Sequence, residues 1–183
     1  YFIDNEEYFK KKFIFKGADG KYFKDNDERS MFFCRGVLET VKKLGWMPDI
    51  VHCHGWMTAL MPVYLKSVYK NDPHFSNAKI IYTHYKHDEK LKFSKDLTTK
   101  LDFDELPTSE LNLNGLADVN KLHEIGIQWS DAVSHGSPDI DEGLLDLIKK
   151  TDKSVLEYHD EEQTVEAHQN FYDKVLSENG VLV

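Results

Sequence analysis

The sequence predicts an α/β fold, a Rossmann-like three-layer sandwich on a mainly parallel sheet. Two observations carry that expectation. Short apolar runs alternate with segments of helical periodicity, in the order strand, helix, strand, helix, strand, loop and helix, strand, helix, strand, helix. Such alternation is what parallel strands joined by right-handed crossovers require. Two of the runs, Asp49 to Cys53 and Lys79 to Thr83, read as buried strands, the second on a continuous apolar core of Ile80-Ile81-Tyr82. The 183 residues, 40% apolar and 13% aromatic, suit one domain with a full core. Residues 1–183 are therefore read as a single domain whose true N-terminus lies beyond Tyr1, which is not a methionine.

In order along the chain, Tyr1-Phe2-Ile3 reads as a strand and Gly17-Ala18-Asp19-Gly20 as a turn. Asp25, Asn26 and Asp27 offer N-caps to a helix whose apolar face is Phe33, Val37, Val41 and Leu44, with Gly45 to end it. After the strand at Asp49, a helix is expected over Thr58 to Tyr69, with Pro62 confined to its first turn or bending it. The strand at Lys79 follows. Asp88 to Leu116 is long, charged and broken by Pro107 and Gly115, the pattern of a functional or mobile loop. Asp118 to Gln128 returns to helix through Val119, Leu122, Ile125 and Trp129. Ala132-Val133-Ser134 is a short strand, and Ser137-Pro138 has the form of a helix start. Ser154 to Tyr158 is the last strand and Asp160 to Ser177 the last helix, ended by Asn179-Gly180.

Composition narrows the function classes. A net charge of −9 argues against binding to nucleic acid or an anionic membrane surface. No apolar run approaches the roughly 20 residues of a membrane span. Lys10-Lys11-Lys12 reads as a solvated run. Cys34 and Cys53, one in a helix and one in a strand, read as free buried thiols of a reducing compartment, so the chain is expected to be cytoplasmic.

Ligands of open parallel sheets bind at the carboxyl ends of the strands. His52 and His54 lie at the end of one strand, and His84 and His87 at the end of the next. Three readings stand beside one another: a metal site completed by Asp88 or Glu89, histidines packed in the core or rim, and a histidine edge facing a sugar or phosphate. The patterns G-x-G-x-x-G, G-x-x-x-x-G-K-[ST] and G-x-S-x-G are all absent, which argues against ordinary nicotinamide binding, P-loop chemistry and a hydrolase nucleophile elbow. Cys53 reads as an apolar strand residue. Asp102, Asp104 and Glu105 are candidates for a carboxylate pair but read as solvated. Arg29 and Arg35 read as surface or ion-paired side chains. No cofactor and no metal is expected.

Pro48 to Leu65, Pro-Asp-Ile-Val-His-Cys-His-Gly-Trp-Met-Thr-Ala-Leu-Met-Pro-Val-Tyr-Leu, resembles the bacterial glycogen and starch synthases of glycosyltransferase family 5. Their usual text is Pro-Asp-Val-Val-His-Ala-His-Asp-Trp-His, followed by an Ala/Gly-Leu-x-Pro-x-Tyr-Leu helix. Asp25 to Arg29 with Phe33-Cys34-Arg35 is similar to the family's Asp-Asn-x-x-Arg-Phe helix. Ile81 to Tyr85 sits where the family has Phe-Thr-x-His-Asn. Ser130 to Val133 with Ser137-Pro138 resembles Ala-Asp-x-Val-x-x-Val-Ser-Pro. The likeness runs from Tyr1 to about Ile148, and the two ends of the chain resemble a short one-domain branch of the family.

The resemblance implies the N-terminal domain of a GT-B glycosyltransferase. The reaction it implies is transfer of glucose from a nucleotide-sugar, ADP-glucose, to the non-reducing end of an α-1,4-glucan with retention. It gives His84 the catalytic position against the transferred glucose and sets His54, Trp56 and Tyr85 on the substrate side, with Trp56 as a stacking platform. It also implies a Lys-x-Gly-Gly-Leu loop before Tyr1, and a C-terminal nucleotide-binding domain or partner chain. Gly55 stands where the family has Asp, and Met57 where it has His. A non-catalytic glucan-binding or partner-binding module of the same descent is the alternative.

Overall fold

A computed structural model describes residues 3–87, 91–113 and 117–178. Helix α1 is a single turn, Glu6–Phe9, and α2 is Asn26–Lys43. Strand β1 is Ile50–His54, followed by a 3-10 turn at Trp56–Thr58 and helix α3, Met61–Lys66. Then come β2 (Lys79–His84), α4 (Leu97–Phe103), a 3-10 turn at Thr108–Glu110 and α5 (Val119–Trp129). Finally come β3 (Ala132–His135), α6 (Glu142–Lys149), β4 (Ser154–Leu156) and α7 (Thr164–Ser177). The four strands are parallel and lie side by side in chain order, β1-β2-β3-β4.

That order decides the layers. Right-handed crossovers that all step the same way put their helices on one face of the sheet. Cys53, Ile80, Tyr82 and Val133 accordingly point into one cluster with Leu38, Val63, Tyr64, Leu122, Ile125 and Leu144. The alternate strand residues Ile81, Ala132 and Leu156 point the other way and meet Phe171 and Val175 of α7. The result is the α/β three-layer arrangement that the alternation predicts. Each fully buried Leu or Ile contributes roughly 1.5–3 kcal/mol, so the helix-rich cluster is the main source of stability. α5 reaches the sheet closely because Gly126 has no side chain: a Cβ there would lie 2.6 Å from Tyr82 Cζ.

The N-terminal segment is tied down by Arg29. Its guanidinium is buried between the rings of Phe9 and Phe23 and donates to Ile14 O (2.6 Å) and Asn26 Oδ1 (2.7 Å). This corrects the surface reading of Arg29. Arg35 is ion-paired with Asp104, which also accepts from the Tyr64 hydroxyl, so Asp104 is held in the structure rather than solvated.

Other expectations shift. Ile3 is in no strand, and Tyr1 and Phe2 lie outside the described residues, as do Asp88, Glu89, Gly115 and Asn179-Gly180. The stretch read as irregular carries α4, whose Leu97 and Leu101 are buried with Leu91, Phe93, Leu106 and Leu111. The helix expected from Ser137 starts at Glu142. Asp141 caps it by accepting from Gly143 N (3.0 Å) and Leu144 N (3.4 Å), while the Ser137 hydroxyl is used elsewhere, accepting the Lys86 N–H at 3.1 Å. Pro62 sits in the first turn of α3, as its ring requires.

Candidate functional site

Three adjacent strands end in histidine at one edge of the sheet: β1 at His54, β2 at His84 and β3 at His135. The next residues, Gly55, Tyr85 and Gly136, begin the loops. The Gly55 N–H donates to Thr83 O and the Gly136 N–H to His84 O, each at 2.9 Å, so the strand ends stay knitted past the last ladder pair. The Tyr85 ring lies across this edge, and its hydroxyl is 3.1 Å from His54 Nδ1.

The histidines do not converge as their spacing suggests. In the ladder His54 pairs with Thr83, one residue short of His84. Side chains alternate along a strand, so His52 and His54 point to the α7 face and His84 to the helix-rich face. On the α7 face His52 is bonded through one ring nitrogen to the Tyr172 hydroxyl and through the other to Thr83 Oγ1, both at 2.7 Å. His54 stacks on it at 4.1 Å, with His168 beyond at 5.8 Å. On the opposite face His84 Nε2 is 2.6 Å from His135 Nδ1, and His135 Nε2 is 3.6 Å from the exposed Glu157 carboxylate. His123 of α5 bonds the Tyr82 hydroxyl at 2.7 Å, and the exposed His87 stacks on it at 5.3 Å. No group of three or more His, Cys, Asp or Glu among the described residues is arranged to hold a metal ion.

Burial sets the charge of these rings. It pushes the His84 imidazole down to about 4, helped by repulsion from His135, and His123 and His52 down to about 3. All three are neutral at pH 7, so they accept and donate hydrogen bonds rather than carry positive charge. Burial pushes the Cys53 thiol well above the ordinary range, which keeps it protonated and removes it as a nucleophile. Cys34 is buried and free as well.

Of the four residues singled out by resemblance, His54 is exposed, Tyr85 is half-buried beside it, and His84 is adjacent but only 1% exposed. Trp56 is a correction. Its side chain is 4% exposed, with ring centroids 4.9 Å from Phe15 and 5.5 Å from Phe93, so it is core and offers no free face to a sugar. The sequence reading missed His135 because it ended β3 at Ser134, one residue early. It missed His123 although that residue lies four after Val119 on the buried face of α5. A separate groove of about 790 Å³ lies between α1, α2 and α4, lined by Tyr8, Phe32, Arg35 and Phe103. It is removed from the strand ends and gathers none of these histidines.

A family model described as the starch synthase catalytic domain matches residues 1–151. The chain belongs to that family. Among similar proteins, a glycogen synthase of Thermotoga petrophila is 36% identical over 141 residues, 75% of this chain and 27% of that one. A glycogen synthase of Elusimicrobium minutum is 47% identical over 83 residues, 45% of this chain and 17% of the relative. The catalytic domain of starch synthase IV from Arabidopsis thaliana, solved with ADP and acarbose, superposes with a TM-score of 0.55 at 22% identity. That match covers 85% of this chain and 30% of the other, and it supports the fold. The chain thus spans between about a sixth and about a quarter of the length of these curated relatives. Within the starch synthase family frame, no helix among the described residues is long and apolar enough to cross a membrane.

Proposed function

We propose that this chain forms the acceptor-side domain of a glycogen/starch synthase. Such an enzyme moves glucose from a nucleotide-sugar, ADP-glucose, to the non-reducing end of an α-1,4-glucan with retention of configuration. The observation that carries the reading is the histidine-ended edge of β1, β2 and β3 in a chain of this family. It is the edge at which parallel α/β sheets take their ligands. His84 acts there as a neutral hydrogen-bonding partner of the transferred glucose, and His54 and Tyr85 line the substrate side. Because His84 is covered, a glucose that reaches it has to displace the side chains above it. The donor nucleotide is bound chiefly by a C-terminal domain or partner chain, and the enzyme works in the cytoplasm.

Two measurements test this. Maltoheptaose titrated against the full chain by NMR is expected to shift the amides of His54, His84 and Tyr85, and His84→Asn is expected to reduce those shifts. Shifts that are absent, or identical in the variant, remove the site assignment. Glucose transfer from ADP-glucose or UDP-glucose, assayed with the nucleotide-binding domain supplied, tests turnover. Gly55 and Met57, which remove two polar groups from the family pattern, favour a second reading, a non-catalytic glucan-binding module. That reading predicts glucan binding without transfer.

A further inference from the structure

The three residues that follow the three histidine-ended strands act together. Tyr85 leaves the middle strand, and Gly55 and Gly136 leave its neighbours on either side. A Cβ built on Gly136 would lie 2.4, 2.6 and 2.7 Å from Tyr85 Cε1, Cδ1 and Cζ. Real Cβ atoms essentially never come this close, so the ring would have to shift to admit one. On the other side Gly55 lies 3.7 Å, by its Cβ position, from Tyr85 Cδ2, the opposite edge of the ring. Gly55 has φ 71° and ψ 175°, a region that glycine occupies and L-residues essentially do not. The ring therefore spans the gap from one glycine to the other, and its hydroxyl is fixed by His54.

In the family pattern these positions read Asp, Asn and Val, where this chain has Gly55, Tyr85 and Gly136. A valine at 136 would collide with the tyrosine ring as it is placed here. An aspartate at position 55 would be strained by the backbone there, although its Cβ would meet the ring at an ordinary 3.7 Å. Gly136 and Tyr85 are thus coupled departures: the phenol ring occupies the volume that a branched side chain at 136 would fill, while Gly55 supplies the backbone turn beside it.

We propose that Tyr85, Gly55 and Gly136 form one specificity element, an aromatic plate at the acceptor edge that engages an α-glucan through the C–H face of a glucose ring. This deepens the reading given under Proposed function and rests on it. A carboxylate and an amide would recognise sugar hydroxyls by hydrogen bonds. The plate instead offers an apolar face with one hydroxyl already committed to His54, so its affinity comes from stacking. It takes the place of Trp56, whose ring is enclosed between Phe15 and Phe93.

The test has two arms on the full chain. In the first, thermal midpoints are measured for the wild type, Gly136→Ala, Tyr85→Asn and the double variant. Gly136→Ala is expected to lower the midpoint by about 3–10 °C in the wild type, and by less than half as much once the ring is gone. Equal losses in the two backgrounds overturn the element. If Gly136→Ala alone does not fold, folding of the double variant supports the coupling and its failure overturns it. In the second, maltoheptaose affinity is measured by NMR. Tyr85→Phe is expected to keep the wild-type affinity, and Tyr85→Asn to lose about fivefold or more. Wild-type binding that Tyr85→Asn leaves unchanged overturns the plate while the wider reading stands. A wild type that binds no glucan overturns both.

Discussion

The two faces of the sheet differ in how they treat the histidines at the strand ends. On the helix-rich face His84, His123 and His135 are buried, and each is bonded to a neighbouring histidine or to Tyr82. On the α7 face His52 and His54 stack at a boundary that opens to solvent, with His54 exposed. The difference comes from strand alternation and from which helices the crossovers deliver, not from distance along the chain. His54 and Thr83 are ladder partners, yet His84, one residue further, belongs to the other layer. The dry face holds its imidazoles buried and neutral, and the open face leaves His54 exposed.

Substitutions and pH can break or sharpen that contrast. The largest effect is expected at the tight contact of α5. Gly126→Val drives a branched side chain into the Tyr82 ring and should cost about 3 kcal/mol or more, read from the urea midpoint. Ala167→Val, in the half-buried α7 layer, should cost under about 1 kcal/mol. Equal costs would show that the two layers are packed alike. Next is acid. His84 and His123 have folded pKa values of about 4 and about 3, below the unfolded imidazole's value of about 6.5. The unfolded chain therefore binds protons first. The stability is complete above pH of about 6.5 and is lost as pH falls toward the folded values. Each such histidine allows a slope of at most about 1.4 kcal/mol per pH unit, about 2 kcal/mol between pH 6.5 and 5. Urea midpoints across that range should fall less steeply in His123→Phe than in the wild type, and parallel slopes would refute the dry assignment.

Smaller effects belong to the α7 face. Tyr172→Phe removes the hydroxyl from His52 and should cost about 1 kcal/mol with an unchanged m-value. His54→Ala should change stability by less than about 0.5 kcal/mol, since its ring is exposed and its bond to Tyr85 is at the surface. A larger loss would mean that the open face is structurally committed after all.

Much of the fold could be read from the residues. Asp49 to Cys53 and Lys79 to Thr83 announced themselves because Ile50-Val51 and Ile80-Ile81-Tyr82 supply apolar residues to both faces of a covered parallel strand. Asp118 is an N-cap whose side chain accepts from Lys121 N, and it marked the start of α5. What stayed hidden depends on contacts distant in sequence. Ser137-Pro138 has the form of a helix start, but its hydroxyl is taken by Lys86, so the cap passes to Asp141. α4 was masked by Pro107 and the charges around it, although Leu97 and Leu101 are spaced for one buried face. The site was half legible. The edge rule pointed to His54 and His84 and the resemblance added Tyr85, whereas Trp56 looked like a platform because aromatic character says nothing about what covers the ring. Tyr85's dependence on Gly136 joins residues 51 apart, and only the register of β2 with β3 brings them together.

Because β1, β2, β3 and β4 sit side by side in the order of synthesis, the growing sheet can add one strand each time a crossover is completed. Every addition closes a modest loop, and the helix-rich layer is covered as the chain emerges. The second layer follows another timetable. His52 waits for Tyr172, 120 residues downstream, and until α7 arrives the strip of Ile81 and Ala132 stays bare. A nascent chain halted before Thr164 would carry that strip uncovered. That is the stage at which sticking to another chain competes with completing this one.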